Sequence, residues 1–287
     1  MSMIKGTLIP IGGNEDKGFE DDEIHRLDYI EEGILAHVVE ESGGINAKIV
    51  VIPTASSIPI EVGKNYTTAF STLGCKYVDV LNIASKKEAE SPEAITLIKN
   101  ANCVMFSGGD QSKISKYIGN TSIHHILMER YKNDVGFVIA GTSAGAMAMA
   151  NEMIAGGSST KAFKKGAVIM HKGLNLVPEL IIDTHFIQRG RFGRISEAVA
   201  KFPNLIGIGL AEDTGMIIKK GENCTIIGSG MAIIFDGNDL THNNEKILKQ
   251  GTPMTMTNLK IHVLANGDHF NIKSKTVRVL PVESPFI

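Results

Sequence analysis

Five short apolar runs, Thr7–Ile11, Ile49–Ile52, Tyr77–Leu81, Cys103–Phe106 and Phe137–Ala140, narrow the folds open to this chain more than any other feature. Each is rich in Ile, Val or Phe and closed off by glycine, proline or polar residues. Runs of this length read as strands covered on both faces of a sheet. Between them, Ile24–Glu41, Glu61–Leu73, Pro92–Lys99 and Ser122–Lys132 carry helical spacing or helix-start signals. Ser91-Pro92 has the form of an N-cap followed by proline at the first helical position. This alternation predicts an α/β fold, a mostly parallel sheet with helices on both sides.

From about Ile206 the texture changes. Met216–Ile218, Thr225–Ile227, Met231–Phe235, Ile261–Leu264, His269–Ile272 and Val277–Leu280 read as short strands. Lys220-Gly221-Glu222-Asn223, Asp236-Gly237-Asn238-Asp239 and Asn266-Gly267-Asp268 read as hairpin loops between them. An antiparallel C-terminal extension is expected, continuing or flanking the parallel sheet. No linker, low-complexity stretch or internal repeat interrupts the chain, so residues 1–287 are expected to form one α/β domain.

In an open parallel sheet, ligands bind at the carboxyl ends of the strands. Four strand ends carry unusual residues: Gly12-Gly13-Asn14-Glu15-Asp16-Lys17, Ser107-Gly108-Gly109-Asp110-Gln111, the turn around Ser143, and Asp183-Thr184-His185-Phe186 after Leu180–Ile182. The sheet reading puts these loops on one rim.

Within Val138–Met149, an apolar run meets Gly141-Thr142-Ser143-Ala144-Gly145 and passes at once into small, helix-favouring residues. This is the sequence form of a nucleophile elbow, with a serine hydroxyl exposed at the tip of a sharp strand-to-helix turn. The Ala144 amide would then point to where charge develops on an attacked carbonyl. The competing reading is a serine that merely caps a helix.

A serine hydroxyl needs a base to take its proton, usually histidine. His185 is the best placed because it follows an apolar run directly. The other eight histidines lie in helix-like stretches, loops or late strands. Its alternative role is a buried, hydrogen-bonding histidine. For the carboxylate that orients the imidazole, Glu212 after Leu205–Leu210 comes first, with Asp183 and Asp213 behind it. The order Ser143…His185…Glu212 differs from common α/β-hydrolases, where the acid precedes the histidine.

Gly108-Gly109 offers unobstructed amides to complete an oxyanion hole with Ala144, or else only makes a tight turn. Arg189, Arg191 and Arg194 bring three guanidiniums together just after the proposed base. Such a cluster suits recognition of substrate carboxylates, against the alternative of a solvated helix start. Positive charge at a helix N-terminus opposes the macrodipole and calls for a reason.

Composition excludes several classes. A net charge of −2 gives no electrostatic reason for nucleic acid or an anionic membrane as partner. Cys75, Cys103 and Cys224 are widely spaced and read as small core residues. No Cys-X-X-Cys or His-Glu-X-X-His occurs, so no metal or cofactor is expected. No apolar run reaches membrane-spanning length and the start lacks a signal-peptide pattern, so a cytoplasmic enzyme is expected.

Taken together, Gly12–Lys17, Ser107–Gln111, Gly141–Ala146, Asp183–Phe186 with Gln188–Arg191 and Arg194, and Gly207–Gly209 with Glu212–Thr214 resemble the cyanophycinase family. The likeness runs from near the N-terminus to at least Phe235. It implies a serine peptidase related to aspartyl dipeptidase, with a class I glutamine amidotransferase-like, flavodoxin-like sheet. The implied substrate is cyanophycin, a polyaspartate bearing arginine on each side-chain carboxyl, cleaved to β-Asp-Arg dipeptides, and a homodimer is implied. Small β-aspartyl or aspartyl peptides are the alternative substrates, and a non-catalytic anion-binding module is the alternative outside enzymes. Carried over by position, Ser143 is nucleophile, His185 base and Glu212 orienting acid, while Gln111, Asp183, Arg189, Arg191 and Arg194 handle substrate. Thr184 stands where the resemblance leads one to expect glutamine, and Asn14 where it leads one to expect alanine. Neither departure is expected to touch the triad.

Overall fold

All five early apolar runs form strands, and they lie side by side in parallel in the order β3-β2-β4-β5-β1 within a larger sheet. In chain order this half contains β1 (Thr7–Ile11), α1 (Ile34–Glu41), β2 (Lys48–Ile52), α2 (Pro59–Thr72), β3 (Tyr77–Val80), α3 (Lys86–Ala89), α4 (Pro92–Asn100), β4 (Cys103–Phe106), α5 (Gln111–Tyr117), α6 (Ser122–Asn133), β5 (Val138–Thr142) and α7 (Ala144–Met147). The structure, a computed structural model, describes residues 4–18, 27–158 and 161–281.

Alternate residues of β1, β2, β4 and β5 feed two cores, one on each face of the sheet. Leu8, Val50, Val104 and Ile139 enter one; Ile9, Val51, Met105 and Ala140 enter the other. β1, β2, β4 and β5 are thus apolar at consecutive positions because both faces are covered, whereas β3, at the sheet's edge, is mostly exposed, against the expectation for Tyr77–Leu81. Each fully buried aliphatic side chain contributes about 1.5–3 kcal/mol. Cys75, Cys103 and Cys224 are buried among these apolar residues.

One helix is shorter than its periodicity predicts. α1 starts at Ile34, whereas the sequence pattern runs from Ile24. The Asp28 carboxylate accepts from the amides of Ile30 and Glu31, both at 2.9 Å, and so holds that stretch as a turn. Residues 24–26 lie outside the described residues.

The second half comprises β6 (Glu152–Gly157), β7 (Val168–Lys172), β8 (Leu180–Asp183), α8 (Phe192–Lys201), β9 (Ile206–Leu210), β10 (Thr214–Lys219), β11 (Asn223–Gly228), β12 (Ala232–Asp236), β13 (His242–Asn243), β14 (Met256–Thr257), β15 (Lys260–Leu264), β16 (His269–Asn271) and β17 (Val277–Arg278). β10, β11, β16 and β17 extend the large sheet from the β1 side, all antiparallel, giving nine strands. The expected antiparallel extension is therefore present.

It is not the whole of the second half. β8, β9, β12 and β15 form a separate four-stranded sheet, in which β8 and β9 are parallel and the others antiparallel. Two of the three predicted hairpin loops are corrected accordingly. The turn after Asp236 leads into the β13–β14 pair, and β12 pairs with β15 instead. Asn266-Gly267-Asp268 joins β15 to β16, which belong to different sheets. Of the three, the Lys220–Asn223 turn closes a hairpin, between β10 and β11.

Candidate active site

The elbow forms as a crowded turn between β5 and α7. Gly145 packs so tightly on β4 that a Cβ there would lie 2.5 Å from the Phe106 carbonyl oxygen. Between Gly141 and Gly145, Ser143 adopts φ 49° and ψ −107°, a backbone conformation that L-residues rarely occupy. Strain of about 1–3 kcal/mol persists only where surroundings dictate it, often at functional sites. Here the Ser143 amide donates to the Ile11 carbonyl at 2.9 Å, tying the turn to β1.

The capping alternative does not hold, because the Ser143 side chain makes no cap hydrogen bond. Its Oγ lies 3.0 Å from His185 Nε2. On the other side of the ring, His185 Nδ1 stands 2.6 Å from Glu212 Oε1. Glu212, first among the three carboxylates weighed, is thus the partner of the imidazole. Asp183 is buried beneath the arginines, and the Asp213 amide donates to the Gly13 carbonyl at 2.9 Å.

His185 and Glu212 enter from the small sheet, at the ends of β8 and β9. The loop after β1 aligns them with the elbow. The Gly12 carbonyl accepts from the His185 amide at 2.8 Å, and the Gly12 amide donates to Thr214 at 2.8 Å. Gly13, at φ 104°, lies against the imidazole so closely that no side chain fits. The Gln188 side chain accepts from the Glu212 amide at 3.2 Å.

Burial lowers the His185 pKa; the hydrogen bond that the ring donates to Glu212 opposes this, and Arg189 and Arg191 lower it further. The net shift is downward, so the imidazole rests neutral near pH 7, able to accept a proton. The ring and carboxylate are only 12% and 16% exposed. In such surroundings electrostatic interactions are stronger than in water.

A cavity of about 590 Å³ opens over this group, with Gly13, Asn14, Glu15, Lys17, Gly108, Gly109, Ser143, His185, Arg189 and Glu212 among its lining residues. The predicted common rim of the strand-end loops is therefore present, although β8 belongs to the second sheet. A Cβ at Gly108 would lie 3.4 Å from Ser143 Cβ and 3.9 Å from Oγ. Any larger side chain there would stand over the hydroxyl. Ala144 is buried as the first residue of α7.

The arginine cluster is arranged differently from its expected use. Asp183 is wholly buried and accepts from Arg194 through two parallel bonds, Nε to Oδ2 at 3.0 Å and NH2 to Oδ1 at 2.7 Å. Arg191 donates to the same Oδ1 at 2.9 Å and to the Thr184 carbonyl at 2.7 Å. This carboxylate is what offsets two cations at the start of α8. Among the three arginines, Arg189 is the one that lines the cavity. Gln111, also expected at the substrate, gives its amide to the Ile154 carbonyl at 2.7 Å.

Both departures from the family pattern take on a structural meaning. Thr184 is buried, with its hydroxyl 3.4 Å from Met147 Sδ, so it faces the interior. Asn14 lines the cavity, and its Nδ2 lies 3.4 Å from Glu212 Oε2. The expectation that neither departure touches the proposed triad is therefore wrong for Asn14. A short amide reaches the carboxylate's second oxygen from a loop distant in sequence, which no local pattern reveals.

Sequence reasoning also left Glu15, Tyr66 and Thr142 without a role. They form a buried cluster beside the elbow, in which both hydroxyls donate to the Glu15 carboxylate. The glutamate within the Gly-Gly-Asn-Glu loop was the available signal; Tyr66, on α2, had none.

Residues 24–227 match the profile of peptidase family S51. The chain is 34% identical over 273 residues to the cyanophycinase of Trichormus variabilis, spanning 95% of this chain and 88% of that protein. It is 33% identical over 272 residues to the cyanophycinase of Geminocystis herdmanii, spanning 94% and 95% respectively. Among solved structures, a peptidase from an acI-B1 Actinobacterium superposes with a TM-score of 0.64 at 20% identity, covering 94% of this chain and 98% of that one. That likeness speaks for the fold, which is shared almost end to end. The profile match spans most of the chain, and the identity to these relatives extends over nearly all of it: the chain belongs to peptidase family S51 and is a serine-type peptidase.

Proposed function

We propose that this chain is an exopeptidase acting on cyanophycin, the arginine-bearing polyaspartate, and releasing β-Asp-Arg dipeptides. Ser143 Oγ attacks the scissile carbonyl while His185 Nε2 takes its proton; Glu212 holds the ring and stabilises its protonated form. The Ala144 amide and an amide of Gly108–Gly109 stabilise the oxyanion. The protonated imidazole then gives its proton to the leaving amine, and water releases the acyl group by the reverse sequence.

The observation that carries this reading is the line of contacts from Ser143 through His185 to Glu212, at 3.0 and 2.6 Å, in a chain one third identical to cyanophycinases. Arg189 on the cavity wall suits a carboxylate-rich substrate. In this reading Asp183, Arg191 and Arg194 act by bracing the His185 loop, and Gln111 by bracing α5.

The test is a paired assay on cyanophycin and on small β-aspartyl dipeptides. Release of β-Asp-Arg from the polymer is expected. Activity confined to the small peptides would replace this reading with that of an isoaspartyl dipeptidase. Thr184 is buried and does not line the cavity, so its departure from glutamine does not choose between the two substrates, and both are tested.

A further inference from the structure

Glu15 and Lys17, on the loop after β1, are charged side chains for which the proposed hydrolysis has no use. Glu15 is 2% exposed, yet three side chains direct donors at its carboxylate. Burial pushes its pKa up, but the Lys17 ammonium and the hydroxyls of Thr142 and Tyr66 together outweigh this and hold it below the ordinary carboxylate range. Thr142 Oγ1 donates to Oε2 at 2.5 Å, and the Tyr66 phenol donates to Oε1. Lys17 Nζ lies 3.1 Å from Oε1 and donates to the Glu15 carbonyl at 3.1 Å.

A carboxylate is buried at high cost unless such partners are supplied. Its effect here is to fix an ammonium. Lysine ordinarily loses much rotamer freedom when it grips a ligand. Lys17 has already lost it, held by Glu15 and lying 5.3 Å from the Tyr66 ring centre. Ammonium carries three protons, so the two acceptors on Glu15 leave one to offer. Lys17 lines the same cavity as Ser143 and Arg189.

We infer that Lys17 is a carboxylate-binding residue of the substrate cleft, with Glu15 as the positioning residue that holds it ready. This rests on the functional reading above, whose substrate presents two kinds of carboxylate near the scissile bond. One is the backbone chain end, the other the α-carboxylate of the appended arginine. The recognition chemistry is the same for both, and the experiment separates them.

The probe is a dimer of β-Asp-Arg units joined by an α-peptide bond, made in three forms: unmodified, amidated at the backbone terminus, and amidated at the arginine of the terminal unit. kcat/KM is measured for wild type, Lys17→Met and Lys17→Arg. Binding of each form is measured by calorimetry in the Ser143→Ala background, with thermal midpoints throughout. Wild type should prefer the free acid about tenfold or more at one of the two positions, the range for a hydrogen bond between charged groups. Lys17→Met should bring that ratio to within about twofold of unity, and Lys17→Arg should retain most of it. A lysine that only neutralises Glu15 would change the thermal midpoint and leave the ratio alone. An unaltered ratio in Lys17→Met, or no preference in wild type, overturns this inference by itself. Failure of wild type to cleave, and of Ser143→Ala to bind, any form overturns the functional reading and this inference together.

Discussion

Gly13 and His185 touch so closely that a Cβ on the glycine would lie 2.4 Å from the ring's Cε1 and 2.5 Å from Nε2. The imidazole is placed by the lack of a side chain opposite it as much as by its own hydrogen bonds. Gly13→Ala should displace the ring from Ser143 and lower kcat/KM by about 100-fold or more, as for other misplacements near 1 Å. The same change forces alanine to φ 104°, destabilising the fold by about 1–3 kcal/mol. Steady-state kinetics and urea titration check the two effects.

Ser143 combines a strained backbone with a side chain that caps nothing. Ser143→Ala should therefore reduce turnover by several orders of magnitude, about 10⁶-fold in the subtilisin precedent, with little change in stability. Ser143→Gly should be equally inactive yet more stable than the alanine variant by about 1 kcal/mol, because glycine accepts φ 49°. Wild-type activity in either variant would remove Ser143 from the mechanism.

In the proposed mechanism His185 acts as a neutral base, so the acid limb of kcat/KM should report it. Burial and the nearby arginines lower its pKa, so the midpoint should fall below the ordinary 6.5. Glu212→Gln removes the hydrogen bond and charge that raise it, moving the limb to lower pH while cutting kcat about 10²–10⁴-fold. Arg189→Met removes a lowering influence and should move the limb upward. Stability follows the same sign. The folded chain binds this proton less tightly than the unfolded one, so His185 disfavours folding progressively as pH falls below about 6.5.

Asp183 is the shared anion of two guanidiniums. Asp183→Ala would leave Arg194 buried without its counterion, and loss of one member of a buried pair destabilises by about 3–5 kcal/mol. Chemical denaturation should show that loss. A variant with wild-type stability and a raised KM would instead assign Asp183 to the substrate.

Much of this was legible along the chain because it depends on local rules. The crowded Gly141–Gly145 turn announced itself through residue size, and His185 through its position after an apolar run. The partition into two sheets was not legible. β8 and β9 are buried at every residue, as are β1 and β5, and burial alone does not say which strand is the neighbour. The Asp236 and Asn266 turns failed as hairpins for the same reason, since turn chemistry bends the chain without choosing the next pairing. Likewise the arginines advertised an anion, but spacing could not show that Asp183 supplies it from beneath.

The Ser143–His185 contact spans a seam. Its serine leaves the nine-stranded sheet, its histidine the four-stranded one, and the Gly12 carbonyl is a stitch between them. A slide of one sheet past the other by about 1 Å would disengage the proposed proton relay while leaving each ladder of strands whole. Catalytic competence is thus a gauge of how the two sheets are aligned. On gentle warming or in dilute denaturant, it should fade before circular dichroism registers any melting.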